Sequence, residues 1–121
     1  MTVRTMIVDD QEDIRLLLRL VCERAANGVE VACEAATGDE ALEIVDACNP
    51  RVVVLDEMMP GLNGVETAAR MLARRPEQIV VLCSAYLNDE IAVSARTVGI
   101  AALVHKDDVR DLPGVITDLV A

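Results

Sequence analysis

Several apolar stretches of this sequence end directly in a polar side chain suited to nucleophilic or metal chemistry. In chain order, these side chains are Asp9, Asp10, Asp56, Ser84 and Lys106. Asp56 follows Val52–Leu55, an unalternating apolar run that has Pro50 before it and Pro60-Gly61 after it. Such a run predicts a strand that is buried on both faces. Ligands of open α/β sheets collect beyond the carboxyl ends of the strands, so these side chains are predicted to share one crevice.

Three of these groups are carboxylates, and their crowding requires a nearby positive charge. Two unit charges 4 Å apart interact by about 4 kcal/mol at an effective dielectric constant of 20. A hard divalent cation offsets this repulsion, and Mg²⁺ is usually held by one or two carboxylates, waters and a substrate phosphate. Asp9, Asp10 and Asp56 are therefore candidate ligands of Mg²⁺ or Mn²⁺.

Lys106 supplies a second positive charge at the same predicted edge. It is the only lysine of the chain, in which every other basic residue apart from one histidine is an arginine. A lysine ammonium is a compact charge on a flexible stem, which suits a contact with a single oxygen better than the planar fork of arginine does. The unique lysine at a strand end indicates a functional residue rather than an ordinary surface lysine.

The elements that would position these groups alternate between strand and helix along the chain. Strands are predicted over residues 3–8, 29–35, 52–55, 79–83 and 102–105. The first helix has an apolar face formed by Ile14, Leu17, Leu18, Val21, Cys22 and Ala25. Five strand–helix repeats with short loops predict a doubly wound α/β fold, with a parallel sheet, helices on both faces and right-handed crossovers.

Capping residues mark where the predicted helices begin and end. The expected signals are Asn27-Gly28 at the end of the first helix, capping boxes at Thr37/Glu40 and Asn63/Glu66, a cap at Asn88, and Pro113 near the start of the last helix.

Composition narrows the possible partners and the possible compartment. The formal charge of -10 argues against direct binding of nucleic acid or anionic lipid, because neutralising phosphates requires clustered lysine and arginine. No apolar run approaches the roughly 18 residues that a membrane span needs. The four cysteines lack zinc-site spacing and lie in apolar contexts, so they are interpreted as small buried hydrophobic residues. With no signal-peptide pattern at the start, these features predict a reducing cytoplasm.

Taken together, these motifs resemble the receiver domain of two-component response regulators over essentially the whole length. The matching features are Asp9-Asp10, the stretch LDEMMPGLNGVE around Asp56, Ser84-Ala85 and Lys106. The resemblance implies a flavodoxin-like sheet of five parallel strands in the order 2-1-3-4-5 with five helices, and a single receiver domain over residues 1–121. The pair Lys106-Asp107 is similar to the NarL/FixJ type.

The resemblance also implies a role for each site residue. Asp56 would accept a phosphoryl group from a histidine kinase, with Asp10 binding Mg²⁺ directly and Asp9 partly through water. The backbone carbonyl of Met58 would complete the metal ligands. Lys106 would contact the phosphoryl oxygens, and the Ser84 hydroxyl would turn towards one of them. The phosphorylated domain would then switch an interaction surface, with possible homodimerisation, and would control an output such as transcription through an attached or partner DNA-binding domain.

Three positions near the site differ from the common receiver pattern or affect its chemistry. Leu103 stands three residues before the lysine, where receivers usually carry Tyr or Phe. Met58 and Tyr86 lie two residues after Asp56 and Ser84, at positions that affect how water reaches the phosphate in the family. They are expected to modulate the site.

Three other classes of protein remain as alternatives. A flavin-binding protein would need a hydroxyl- or glycine-rich phosphate loop after the first strand, where this chain has DDQED. A haloacid-dehalogenase-type phosphatase would need a second aspartate at the position of Met58, and the chain has no room for a substrate cap. A phosphorylation-independent pseudo-receiver, which would act only as a protein-interaction module, normally lacks one of the acidic residues or the lysine.

A receiver would be a signalling domain and not an enzyme beyond its own phosphorylation and dephosphorylation.

Overall fold

The computed structural model describes residues 2–25 and 28–121 of the chain. Its strands and helices alternate as the sequence predicts. The five strands are β1 (Val3–Val8), β2 (Val29–Ala35), β3 (Val52–Leu55), β4 (Ile79–Ser84) and β5 (Ala102–His105). All pairings are parallel and the strand order is β2-β1-β3-β4-β5, so the predicted flavodoxin-like architecture is confirmed.

The five helices form two layers, one on each face of this sheet. They are α1 (Glu12–Arg24), α2 (Gly38–Cys48), α3 (Gly64–Arg74), α4 (Asp89–Val98) and α5 (Leu112–Val120). One core contains buried side chains of α2, α3 and α4, such as Val45, Met71 and Ala95. The other core contains buried side chains of α1 and α5, such as Leu18 and Ile116.

The central strand has no solvent-exposed face. All four residues of β3 are buried, and successive side chains point alternately into the two cores. Burial of apolar surface contributes about 25 cal/mol per Å², so a strand that is buried on both faces holds the two layers together. Its polar neighbour Asp56 lies where this apolar segment ends.

Most of the predicted helix ends are present. Asn63 and Glu66 form a complete capping box, and Asn88 accepts a hydrogen bond from the backbone N–H of Ile91. Thr37 accepts from the N–H of Glu40, but the reciprocal bond of a capping box is not formed there. Of the Asn27-Gly28 pair, Asn27 lies outside the described residues, and Gly28 has the positive φ of 76° that the prediction requires.

Two local expectations are wrong. Leu17 was assigned to the buried face of α1 but is exposed, because the helix contacts the sheet along a narrower stripe centred on Leu18 and Cys22. Between Lys106 and α5 the chain forms a 3-10 helix over Lys106–Asp111, which the apolar pattern did not indicate. This segment reads KDDVRD, in which Val109 is the only apolar residue, so no apolar periodicity marks it.

The interpretation of all four cysteines as unpaired buried residues is also wrong. Cys22 and Cys83 are free and buried, but Cys33 and Cys48 form a disulfide. Cys33 lies on the face of β2 that packs against α2, and Cys48 is the last residue of that helix. Their proximity arises from tertiary packing, which sequence spacing does not reveal. Because two of the four cysteines are paired, cysteine usage does not indicate a reducing compartment.

None of the helices within the described residues has the length and apolar character required to cross a membrane.

Candidate functional site

The register of the sheet brings the predicted site residues to one edge. Val8 pairs with Leu55 and Leu55 with Leu82, so β1, β3 and β4 end near the same level. The backbone N–H of Asp56 donates to the carbonyl of Val8 at 2.9 Å, which places Asp56 directly beside the residue that follows β1.

Three carboxylates meet at this edge, as predicted. One oxygen each of Asp9, Asp10 and Asp56 lies within 4.8 Å of the others. Asp9 and Asp56 are buried, whereas Asp10 is exposed to solvent. Within residues 2–25 and 28–121, the buried Asp9 Oδ2 has no partner other than the Lys106 ammonium. An all-oxygen cluster that includes such an atom fits a hard divalent cation.

Lys106 lies between two of the carboxylates. Its Nζ is 2.7 Å from Asp9 Oδ2 and 3.4 Å from Asp56 Oδ2. The ion pairs are largely shielded from solvent, so screening by water and salt is weak here. The sequence predicted Lys106 as a positive charge beside the carboxylates, but not that Asp9 would be its nearer partner.

This environment shifts the ionisation of both partners. Burial, together with the charge of Asp9, raises the pKa of Asp56 above its ordinary value, although Lys106 and the Ser84 hydroxyl oppose that rise. For Lys106, burial lowers the pKa, but the hydrogen bond to Asp9 and the charges of Asp56 and Asp9 outweigh burial and raise it overall. The lysine therefore stays protonated, and the folded state disfavours the charged carboxylate of Asp56.

The raised pKa predicts that Asp56 lowers the stability of the apo protein at neutral pH. For a carboxyl group whose folded pKa exceeds its unfolded value of 3.8, stability falls as pH rises through that interval. Asp56→Asn should therefore raise the free energy of unfolding at neutral pH. The gain should shrink below pH 3.8, where Asp56 is protonated in both the folded and the unfolded state of the wild type. Urea titrations of both proteins at the two pH values would measure this difference, and an equal gain at both would contradict it.

Glu57 is a buried carboxylate that the sequence analysis missed. Its Oε1 accepts a hydrogen bond from the N–H of Val65 at 2.9 Å, and its backbone carbonyl accepts from the N–H of Gly64. Burial raises the pKa of Glu57, while these contacts at the start of α3 oppose the rise. Glu57, the residue directly after Asp56, therefore anchors the beginning of α3 beside the site. No sequence pattern at this spacing marks that role.

Arg15 is a second residue that the sequence analysis missed. Its Nη1 donates to the backbone carbonyl of Asp9 at 2.7 Å, and its Nε contacts Glu34 Oε1 at 3.2 Å. Arg19 also pairs with Glu34. Arg15 thus fixes the backbone between the two aspartates that follow β1. An arginine one turn into α1 is a common surface residue in sequence, so nothing distinguished it.

The remaining predicted residues surround the cluster. Ser84 is buried at the end of β4, and its Oγ accepts from the N–H of Tyr86 at 3.3 Å. Met58 and Tyr86 are 60% and 59% exposed, and both follow the ends of site strands. Leu103 is 37% exposed in β5, where it pairs in register with Leu82 rather than with a site residue.

Comparison with known proteins identifies the family. Residues 5–117 match the family described as the response regulator receiver domain. The chain belongs to this family. Membership excludes the flavin-binding and phosphatase alternatives, and it agrees with the five-stranded architecture described above.

The relatives of this receiver domain differ in how much of their length it covers. Chemotaxis protein CheY of Thermotoga maritima is 31% identical over 103 residues, which cover 85% of this chain and 84% of that protein. A protein-glutamate methylesterase/protein-glutamine glutaminase of Geobacter metallireducens is 38% identical over 101 residues, which cover 84% of this chain but 29% of that protein. The chain spans about a third of the length of several curated relatives that it matches.

Solved structures agree with this assignment. The receiver domain of the putative response regulator NarL from Mycobacterium tuberculosis superimposes with a TM-score of 0.90 at 29% identity, covering 98% of this chain and 95% of that one. Similarity to NarL-type and to chemotaxis receivers leaves the NarL/FixJ subtype as a prediction.

Proposed function

We propose that Asp56 is the phosphoacceptor of a two-component signalling domain that takes its phosphoryl group from a phosphohistidine of a histidine kinase. The observation that carries this proposal is the position of Asp56. It is a carboxylate only 4% exposed, at the mouth of the sheet, with an ammonium 3.4 Å away and two more carboxylates in contact range. We also propose that residues 1–121 form one receiver domain and that this domain acts in the cytoplasm.

In this reaction an Asp56 oxygen attacks phosphorus in line with the leaving imidazole nitrogen. The oxygen–phosphorus bond forms as the phosphorus–nitrogen bond breaks, and the imidazole, whose other ring nitrogen carries a proton in the phosphohistidine, leaves in its neutral form. Lys106 contributes by transferring its 3.4 Å contact from the Asp56 oxygen to an oxygen of the incoming phosphoryl group. Its contact with Asp9 holds the ammonium at this edge meanwhile.

The carboxylate cluster supports a metal at the same edge. Asp9, Asp10, Asp56 and the backbone carbonyl of Met58 would hold Mg²⁺ or Mn²⁺, which when bound neutralises charge on the phosphoryl oxygens. Arg15 fixes the carbonyl of Asp9 and so limits the positions that the first two carboxylates can adopt.

The switch is proposed to begin at Ser84. Its hydroxyl would turn from the N–H of Tyr86 towards the new phosphoryl oxygens, which add a charge of roughly −1.5 to −2. Leu103 would then follow with a smaller change in buried area than an aromatic residue would give. The resulting surface would serve a homodimer or an output partner, such as a DNA-binding domain that regulates transcription.

Incubation with acetyl phosphate tests this function. With Mg²⁺ present, the intact mass should rise by one phosphoryl group, and chelation of the metal should prevent the rise. A histidine-phosphorylated donor protein should label the chain in the same way. Absence of labelling by both donors would favour a phosphorylation-independent pseudo-receiver.

The exposed residues near the site predict a long-lived phosphorylated form. Met58 and Tyr86 offer no carboxylate or amide to position an attacking water. The double variant Met58→Asn/Tyr86→Glu should therefore dephosphorylate at least about 10-fold faster, since a positioned general base contributes 10²–10⁴-fold. Decay of the phosphorylated mass after removal of the donor measures this rate. Val93→Asn, which changes a similarly exposed apolar residue of α4, should leave the rate unchanged. Unchanged decay in the double variant would contradict the prediction.

A further inference from the structure

The disulfide joins two elements at the edge of the sheet. Cys33 lies in β2, which is an edge strand, and Cys48 ends α2. Their Cα atoms are 6.5 Å apart, within the normal range for a disulfide. The bond closes a segment of 15 residues that contains the whole of α2. No other covalent bond restrains this edge within the described residues.

The two pairs of cysteines differ in their access to solvent. Cys33 and Cys48 are half-buried, whereas Cys22 and Cys83 are fully buried in the core. Burial raises the pKa of the Cys22 thiol to about 11 and that of Cys83 to about 12, so neither is a reactive thiolate at neutral pH. Thiol–disulfide exchange requires a thiolate with access to sulfur. Only the half-buried pair meets the requirement of access.

We propose that Cys33 and Cys48 form a redox modification site that reversibly clamps the end of α2 to β2. A small thiol such as glutathione attacks one sulfur, the sulfur–sulfur bond breaks, and a mixed disulfide forms. A second thiol releases the small molecule as its own disulfide. Each cysteine gains one electron and one proton, and the two thiols are oxidised. Glutathione disulfide drives the reverse reaction.

The clamp acts on a strand that is paired on one side only. β2 pairs only with β1 among the described strands, and its register with β1 shifts between Val31 and Cys33. The next residue, Glu34, holds Arg15 and Arg19 of α1 on the opposite face. Opening the disulfide therefore releases β2 from the end of α2, next to Glu34, which contacts α1. This inference does not depend on the proposed phosphorylation.

Loss of the clamp should lower stability measurably. Closing a 15-residue loop reduces the entropy of the unfolded chain, which corresponds to about 100-fold in the unfolding equilibrium. Reduction should therefore lower the melting temperature by on the order of 10 °C. Amide hydrogens of residues 29–48 should lose more protection than those of β4, because opening begins locally at the edge.

The test equilibrates the purified full chain with glutathione buffers of increasing reduced fraction. Each sample is then unfolded and alkylated with iodoacetamide. Oxidised protein should carry two adducts, from Cys22 and Cys83, and reduced protein should carry four. The melting temperature should follow the adduct number. The melting temperature of Cys33→Ala/Cys48→Ala should equal that of the reduced protein and should not change with reductant. The melting temperature of Cys22→Ala/Cys83→Ala should still fall when reductant is added.

Three results would each overturn the proposal. One is four adducts at every buffer composition, which would mean that the bond does not form. Another is two adducts at every composition, which would mean a permanent structural bond. The last is a melting temperature that does not change when the bond is reduced. Phosphorylation by acetyl phosphate should persist in both redox forms, so its failure would concern the proposed function instead.

Discussion

Asp56→Asn is expected to abolish phosphoryl transfer to this domain. Asparagine has the same shape but lacks the nucleophilic oxygen, and the surrounding contacts explain why no neighbour should replace it. Asp9 is engaged by Lys106 at 2.7 Å and by the N–H of Gln11 at 2.9 Å. Asp10 is exposed and lies on the solvent side of the cluster. Labelling with acetyl phosphate and Mg²⁺ should therefore fall by at least about 100-fold, a loss of more than about 2.7 kcal/mol of transition-state stabilisation.

The adjacent carboxylate provides a matched control. Glu57→Gln also neutralises a buried acid, but the amide oxygen can still accept from the N–H of Val65. This variant should be labelled as the wild type is. The urea titration of Asp56→Asn serves as the folding control, since a variant at least as stable as wild type cannot owe its loss of labelling to unfolding. Equal labelling of Asp56→Asn and wild type would reject the assignment of the phosphoacceptor.

The fold was predictable because its pattern is encoded locally. The continuous apolar run of β3 and the short connections to amphipathic segments leave a parallel sheet as the consistent arrangement. In such a sheet, residues that follow the strands must meet at one edge. That rule alone brings together Asp9, Asp56 and Lys106, which are 97 residues apart at the extremes (106 minus 9).

The parts that were missed depend on contacts between elements. The Cys33–Cys48 pairing requires knowing which face of β2 meets the end of α2. The Arg15 contact with the Asp9 carbonyl involves a backbone acceptor, which has no residue type to mark it. Lys106 was correctly placed at the site, but its partner Asp9 follows from side-chain geometry. In each case the residue types were ordinary and the spatial relation carried the information.

The exposure of Asp10 allows metal binding to be separated from folding. Asp9 is buried and is the nearer partner of Lys106, so its replacement would leave the ammonium with Asp56 alone, 3.4 Å away, and should be destabilising. Asp10 makes no salt bridge or side-chain hydrogen bond among the described residues. Asp10→Ala should therefore leave the free energy of unfolding without metal within about 0.5 kcal/mol of wild type, or raise it by relieving repulsion.

The same variant should lose Mg²⁺-dependent phosphorylation by on the order of 100-fold, since replacing even an outer-shell partner of a metal costs 10–100-fold. Titration with Mg²⁺ should stabilise the wild type against thermal unfolding but not Asp10→Ala, because only a protein that binds the ion gains from it. Glu43→Ala removes another exposed carboxylate, from α2, and should behave as wild type in both measurements. If Asp10→Ala unfolds at neutral pH, its carboxylate is structural. If it keeps full Mg²⁺-dependent labelling, the metal is held by Asp9 and Asp56 without it.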